Sequence, residues 1–262
     1  MELSRRTVLV TGGTSGIGLE LVRLLVARGN TVLITGRDPA RLEAVKRELP
    51  GVDTYRSDVG DPVQIASLHE QVMARHPALD VLINNAGIMR NLRLDAFHDL
   101  SDVTREIDVN LSGPIRMVQQ FLPVLSARKG ALIVNVSSGL AFVPLPISPV
   151  HSAAKAAMHS YTKCLREQLR GTGVTVVELA PPPVETPLFR GEFAEEMKGE
   201  KAMPPNELAR RALAGIEAGR LEIRPGVSNL LAAMSRVAPS FMFTQMARLG
   251  RRSADAAMPD PV

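Results

Sequence analysis

The sequence predicts an α/β protein, a doubly wound parallel sheet in a single domain, on three observations. Six short β-branched runs alternate with longer segments of helical period, the runs are apolar almost throughout, and no repeat or low-complexity linker divides the chain. The runs are residues 7–10 (TVLV), 31–36 (TVLITG), 52–57 (VDTYRS), 81–84 (VLIN), 131–137 (ALIVNVS) and 174–179 (VTVVEL). Between them the helical pattern covers 19–28, 39–49, 62–75, 102–126 and 153–170. Strands this apolar are buried on both faces, as they are when helices cover a parallel sheet from two sides.

Composition narrows the class. A chain of 262 residues with 45% hydrophobic and 22% charged side chains can bury a sizeable core, which excludes disordered and fibrous proteins. The formal net charge of +4 is spread along the chain, which argues against a nucleic-acid partner. Cys164 is the single cysteine, and the five histidines form no cluster at metal-ligand spacing, so neither a disulfide nor a metal site is expected. MELSRR runs straight into the first strand without a signal-peptide core, and the apolar stretch 230–246 is interrupted by Arg236, Pro239 and Gln245. A cytoplasmic location is expected.

Two segments break the alternation. Residues 180–206, proline-rich at both ends and acidic between, follow the sixth strand, where open sheets bind ligands, and read as a loop that covers a substrate. The tail, about 225–262, carries a Leu/Met/Phe pattern and the late arginines Arg248, Arg251 and Arg252, and reads as a docking element. Contact with a neighbouring subunit or closure over the substrate is the first expectation for it, and contact with a membrane surface the second.

The first strand is followed by Thr11-Gly12-Gly13-Thr14-Ser15-Gly16-Ile17-Gly18 and then an amphipathic helix. Glycines 12, 16 and 18 in that place allow a tight turn, a close backbone approach to a pyrophosphate and close helix packing, with free N–H groups at the helix start facing the anion. This is the phosphate end of a Rossmann-type dinucleotide site. The acidic residue that often holds the adenosine ribose is missing: the second strand ends Thr35-Gly36-Arg37. A guanidinium suits a 2′-phosphate, so NADP is preferred over NAD, provided that Arg37 and not Asp38 faces the ribose.

Further along stand Asp58-Val59 after the third strand, Asn84-Asn85-Ala86-Gly87 after the fourth, Asn110 in a long helical segment, Val136-Ser137-Ser138 after the fifth, and Lys155. Together with the glycine motif, and over residues 5–188, these resemble the short-chain dehydrogenase/reductase family. The resemblance implies that Asp58 and Val59 flank the adenine, and that Asn85, Ala86 and Gly87 line the cofactor beside Thr14, Ser15 and Ile17. It further implies that Asn110 orders a water near Lys155, that Lys155 also serves the ribose hydroxyls, that Ser138 polarises the substrate, and that Val184 and Thr186 meet the nicotinamide amide. The family's Pro-Gly turn reads Pro181-Pro182 here. The whole chain is then one NADP(H)-binding oxidoreductase domain, and pairing through the helices at 102–126 and 149–170 into a homodimer or homotetramer is expected.

The chief departure is at residue 151. The family carries tyrosine four residues before the lysine, and this chain has His151, thirteen positions after Ser138. Histidine begins near pKa 6.5, and positive neighbours depress it further, so a neutral imidazole is expected: a poor proton donor to an alkoxide but a competent base. Three readings stay open. Carbonyl reduction continues, with Ser138 and a water relay behind Lys155 supplying the proton and His151 acting as a hydrogen-bond donor; or the substrate is an imine, which needs no strong acid; or redox catalysis is lost, leaving a cofactor-binding sensor, an assembly partner or a non-redox acid/base enzyme. An apolar substrate pocket is expected from Met89, Leu140, Phe142, Leu145, Pro146, Leu188, Phe189 and Phe193. His159 reads as a helix-surface histidine and Cys164 as a buried packing residue.

Overall fold

Seven parallel strands, one more than the apolar runs indicate, form a single sheet: β1 (Thr7–Thr11), β2 (Thr31–Gly36), β3 (Val52–Arg56), β4 (Val81–Asn84), β5 (Leu132–Val136), β6 (Thr175–Leu179) and β7 (Glu222–Ile223). The strand order is β3-β2-β1-β4-β5-β6-β7. The chain builds outward from β1 to one edge, returns to β4 beside β1, and builds outward to the other edge. The crevice above the carboxyl ends of β1 and β4 is therefore the switch point where such sheets take ligands. The seventh strand has only two residues, too short to register as a periodic run. The computed structural model describes residues 1–254 other than 192, 195, 197 and 200, with 249–254 described by backbone alone.

Alternation along each strand splits the core into two layers. Val8, Val10, Val32 and Ile34 pack with α1 (Gly16–Ala27), α2 (Pro39–Glu48) and α9 (Pro205–Glu217). On the opposite face Leu9, Leu33, Leu82 and Ile133 pack with α3 (Pro62–Arg75), α6 (Gly113–Ser126) and α7 (Pro149–Gln168). Each such aliphatic side chain stabilises the fold by about 1.5–3 kcal/mol through burial. The starts of α2 and α3 are set locally. Asp38 accepts from the N–H groups of Ala40 (2.9 Å) and Arg41 (3.3 Å), Asp61 does the same for Val63 and Gln64, and proline follows each cap.

The segment 102–126 is not one helix. It divides into α4 (Leu100–Val103), α5 (Arg105–Ile107), a π-helical turn at Asp108–Ser112 and α6. Pro114 has no N–H to give the carbonyl of Asn110, four residues back, so the α-helical ladder cannot run through this point. The same place brings Gly113 so close to β3's following loop that a Cβ there would lie 2.5 Å from the Val59 carbonyl oxygen.

The loop 180–206 holds the short α8 (Pro187–Arg190) and lays Phe189 and Phe193 against Leu145 in an apolar cluster that Met89, Leu140 and Met246 extend. The tail forms α10 (Val227–Val237) and α11 (Pro239–Ala254). Met246 joins that cluster, so part of the tail closes over the strand ends rather than only presenting a docking surface. Residues 255–262, and the side chains of Arg251 and Arg252, lie outside the described residues. No described helix is long and apolar enough to cross a membrane.

Candidate functional site

A cavity of about 910 Å³ fills the crevice at the switch point. Its walls bring together stretches far apart in sequence: 12 and 14–18 after β1, 35–38 after β2, 57–59 after β3, 85–89 after β4, 136–140 after β5, His151 and Lys155 on α7, and 181–184 with 186–189 after β6. Every cofactor-contact residue expected from the sequence lines it. Of the expected apolar residues, Met89, Leu140, Leu145, Leu188 and Phe189 line it as well. Arg41, Lys201, Val227, Leu231 and Met246 also line it and were not foreseen, because each reaches the site from an element whose docking is not encoded locally.

At one end the backbone itself forms the wall. Gly12 (φ +66°) and Gly16 (φ +53°) sit in the left-handed region that glycine tolerates. A Cβ on Gly12 would lie 2.8 Å from the Cα of Ala86, and one on Gly16 would lie 3.0 Å from Cγ2 of Thr186. Asn85 Nδ2 donates to the carbonyls of Thr11 (2.9 Å) and Gly12 (3.1 Å), locking the turn, while the start of α1 has no side-chain cap. Its first N–H groups stay available to an anion. A Cβ on Gly18 would stand 2.2 Å from the Gly12 oxygen and 2.5 Å from Asn85 Nδ2. Gly18→Ala is expected to destabilise the fold by about 3 kcal/mol, or roughly 6–12 °C in thermal unfolding, because backbone must move. Gly29→Ala is the control: its Cβ meets nothing within 4 Å, and only its φ of +73° opposes the change.

The neighbouring wall carries two arginines and two aspartates, Arg37, Asp38, Arg41 and Asp58. Arg37 lies 3.6 Å from Asp58 in a half-exposed ion pair, and Asp38 is occupied in capping α2, with Arg41 3.4 Å away. Gly36 leaves room: a Cβ there would press on Thr14 Cγ2 at 2.8 Å.

At the other end stand four polar side chains, of which Asn110, His151 and Lys155 are buried. Ser138 Oγ accepts from the N–H of Leu140 at 3.1 Å. Lys155 is 5% exposed and donates from Nζ to the carbonyl of Val136 at 2.8 Å, and burial pushes its pKa down from 10.5 to about 8. Asn110 is fully buried behind the cavity: Oδ1 accepts from the N–H of Ile88 (3.0 Å) and Nδ2 donates to its carbonyl (2.8 Å). His151 Nδ1 lies 2.9 Å from that same carbonyl. Burial, and then the charge of Lys155, push the imidazole's pKa down to about 3, so the ring is neutral. Gly87 keeps the group compact, since a Cβ there would lie 3.0 Å from Asn110 Oδ1.

Five expectations need correction. Phe193 is not on the cavity wall but fully buried in the apolar cluster with Leu145 and Phe189. Phe142 does not line the cavity: its ring lies edge-on to His159 and beneath the guanidinium of Arg224. Pro146 lies instead at a separate shallow pocket with Asn91 and Ala247. His159 is no surface histidine, because its Nδ1 lies 2.7 Å from Oε2 of buried Glu178, whose Oε1 accepts from Ser137 Oγ at 2.5 Å. That carboxylate ties the loop carrying Ser138 to the helix carrying Lys155. Its signal was present as one charge in the otherwise apolar run VTVVEL. Cys164 is exposed, one position off the buried stripe of α7 that includes Met158, Thr162 and Leu165. Among the described residues no group of three or more His, Cys, Asp or Glu could hold a metal ion.

Comparison with known proteins agrees with this geometry. A family model described as short chain dehydrogenase matches residues 6–197. The chain is 40% identical to the uncharacterized oxidoreductase DltE of Bacillus subtilis (strain 168), over 85% of this chain and 89% of that protein. It is 34% identical to the 3-oxoacyl-(acyl-carrier-protein) reductase FabG of Thermotoga maritima, over 72% and 78%. Its structure resembles a short chain dehydrogenase of Burkholderia cenocepacia J2315 in complex with NADP, with TM-score 0.81 and 27% identity, covering 94% of this chain and 99% of that one. A short chain dehydrogenase/reductase of Burkholderia phymatum in complex with NAD shares the fold at TM-score 0.83 and 22% identity, over 94% and 96%. With the glycine turn, the asparagine loop, Ser138 and Lys155 gathered on one cavity and the family model covering most of the chain, the protein belongs to the short-chain dehydrogenase family of oxidoreductases.

Proposed function

We propose that the protein is an NADP(H)-dependent oxidoreductase that interconverts a small apolar carbonyl or imine with its alcohol or amine. His151 stands where the family has tyrosine, in an Asn110-Ser138-His151-Lys155 site. The observation that carries the reading is the single cavity running from the glycine cradle to Ser138, His151 and Lys155. Its glycines leave no room for a Cβ, which is what a pyrophosphate lying against backbone requires. When bound, the nicotinamide gives or takes the hydride. The chain supplies the rest: Asn85 holds the turn, Ser138 directs a hydroxyl at the reacting group, and Lys155 places a buried positive charge beside it.

Preference for NADP over NAD is supported by Gly36 in the acidic residue's seat, Arg37 and Arg41 on the cavity wall, and Asp38 engaged with backbone N–H groups. Fluorescence titration is expected to show NADPH binding more tightly than NADH, and Arg37→Ala to cost NADPH on the order of tenfold in affinity while leaving NADH unchanged. Equal losses for both cofactors would place Arg37 away from the ribose. One observation favours a second reading, a cofactor-binding protein without redox turnover: neutral His151 has no acidic proton to give. Cofactor consumption against small ketones, alcohols and cyclic imines separates the two.

A further inference from the structure

Resting on that reading, we infer that His151 offers the substrate a hydrogen-bond acceptor at Nε2, and that the reacting heteroatom it receives carries a hydrogen, as an alcohol on its way to a carbonyl does. The Asn110 amide is oriented without ambiguity, because one residue, Ile88, supplies both a donor to its Oδ1 and an acceptor for its Nδ2. The Ile88 carbonyl can only accept, so His151 Nδ1, 2.9 Å away, must carry the ring's hydrogen. The 3.3 Å separation of Asn110 Nδ2 and His151 Nδ1 is then a contact of two donors that share one carbonyl. The other tautomer would let Asn110 Nδ2 donate to Nδ1 across the longer 3.3 Å but would set the Nδ1 lone pair against the Ile88 carbonyl at 2.9 Å, so the shorter contact decides for a protonated Nδ1.

With Nδ1 protonated and the ring neutral, Nε2 is a bare lone pair. It has no hydrogen-bond partner among the described residues, and the ring lines the cavity. Ser138 is its complement: Oγ receives the Leu140 N–H, and its own hydrogen has no partner among the described residues. One donor and one acceptor on one cavity match a hydroxyl, which accepts from Ser138 and donates to His151. A ketone oxygen satisfies Ser138 and sets its remaining lone pair against Nε2. In the oxidation, the C–H bond breaks with its electron pair passing as hydride to the oxidised nicotinamide. The O–H bond breaks with its proton passing to Nε2, and the C–O bond becomes C=O. The proton then leaves to water, so the net change is alcohol and NADP⁺ to carbonyl, NADPH and H⁺. A weak base suffices, because the hydroxyl grows as acidic as a protonated carbonyl while the hydride departs.

The test is long-range ¹H–¹⁵N correlation on the full chain with ¹⁵N-labelled histidine, the His151 signals being assigned by removing His69, His76, His98 and His159 in turn and confirmed with His151→Gln. A protonated Nδ1 and a bare Nε2 at pH 7 are expected. In the presence of NADP⁺, cyclohexanol is expected to move the Nε2 signal and to bind at least about tenfold more tightly than cyclohexanone. A protonated Nε2, or equal binding of alcohol and ketone, overturns the inference. The tautomer is read on the protein alone, so it stands or falls apart from the cofactor reading, which fails separately if NADPH produces no fluorescence change.

Discussion

Lys155→Met is expected to lower turnover about a thousandfold, as loss of a positioned proton-handling group does, while raising the melting temperature. The opposite signs follow from one fact, that an ammonium is held 5% exposed with a single hydrogen bond among the described residues, to the carbonyl of Val136. Its pKa is pushed down from 10.5 to about 8 by burial. Between those values the unfolded chain binds more protons than the native one, so stability rises as pH climbs from about 8 to 10.5. Below 8 the buried charge imposes its full cost, about 3 kcal/mol. Methionine keeps the length of the side chain and removes the charge. Against that gain stands the loss of a partner for the Val136 carbonyl, about 1 kcal/mol, leaving a net of about 2 kcal/mol and roughly 4–8 °C at this chain length. Thermal unfolding at pH 7 beside a turnover assay checks both signs. A lower melting temperature would falsify the view that this lysine is retained for chemistry at the expense of stability.

The parts of the molecule that the sequence discloses are those fixed by local rules. The two layers of the core follow from alternation in runs such as TVLITG, and the starts of α2 and α3 from Asp-Pro pairs whose carboxylates cap the helices. The glycine turn is legible for the same reason, since strand, turn and helix are contiguous. The break in the segment 102–126 was also written locally, in Pro114, but the apolar period on both sides hides it. Cys164 is a matter of phase, one position from Leu165 on the buried stripe. The pairing of His159 with Glu178, and the placing of Phe142 between His159 and Arg224, join a helix, a strand and two loops, and no spacing in the chain encodes them. The same holds for the tautomer of His151, which depends on one carbonyl in the loop after β4.

Acid is expected to expose that histidine directly. Going from pH 7 to pH 4 should cost the wild type about 3 kcal/mol more stability than it costs His151→Gln, a variant that keeps an N–H donor and cannot titrate. The folded pKa, about 3, lies below the ordinary 6.5, so the unfolded chain takes up a proton that the native one refuses. The stabilising effect of the neutral ring is therefore complete above 6.5 and is lost as pH falls towards 3. Lys155 is the charge that faces the ring, while Ile88 and Asn110, which contact it from the other side, are neutral. Urea unfolding of both proteins at the two pH values reads the difference, and carboxylates elsewhere cancel in it. Parallel losses would mean that the imidazole titrates normally and is charged in mild acid. The same depressed value governs activity: a site that uses His151 as a base keeps it deprotonated from about pH 4 upward, so the rate profile should show no break near 6.5. Its single break should fall near 8, where Lys155 gives up its charge and turnover declines.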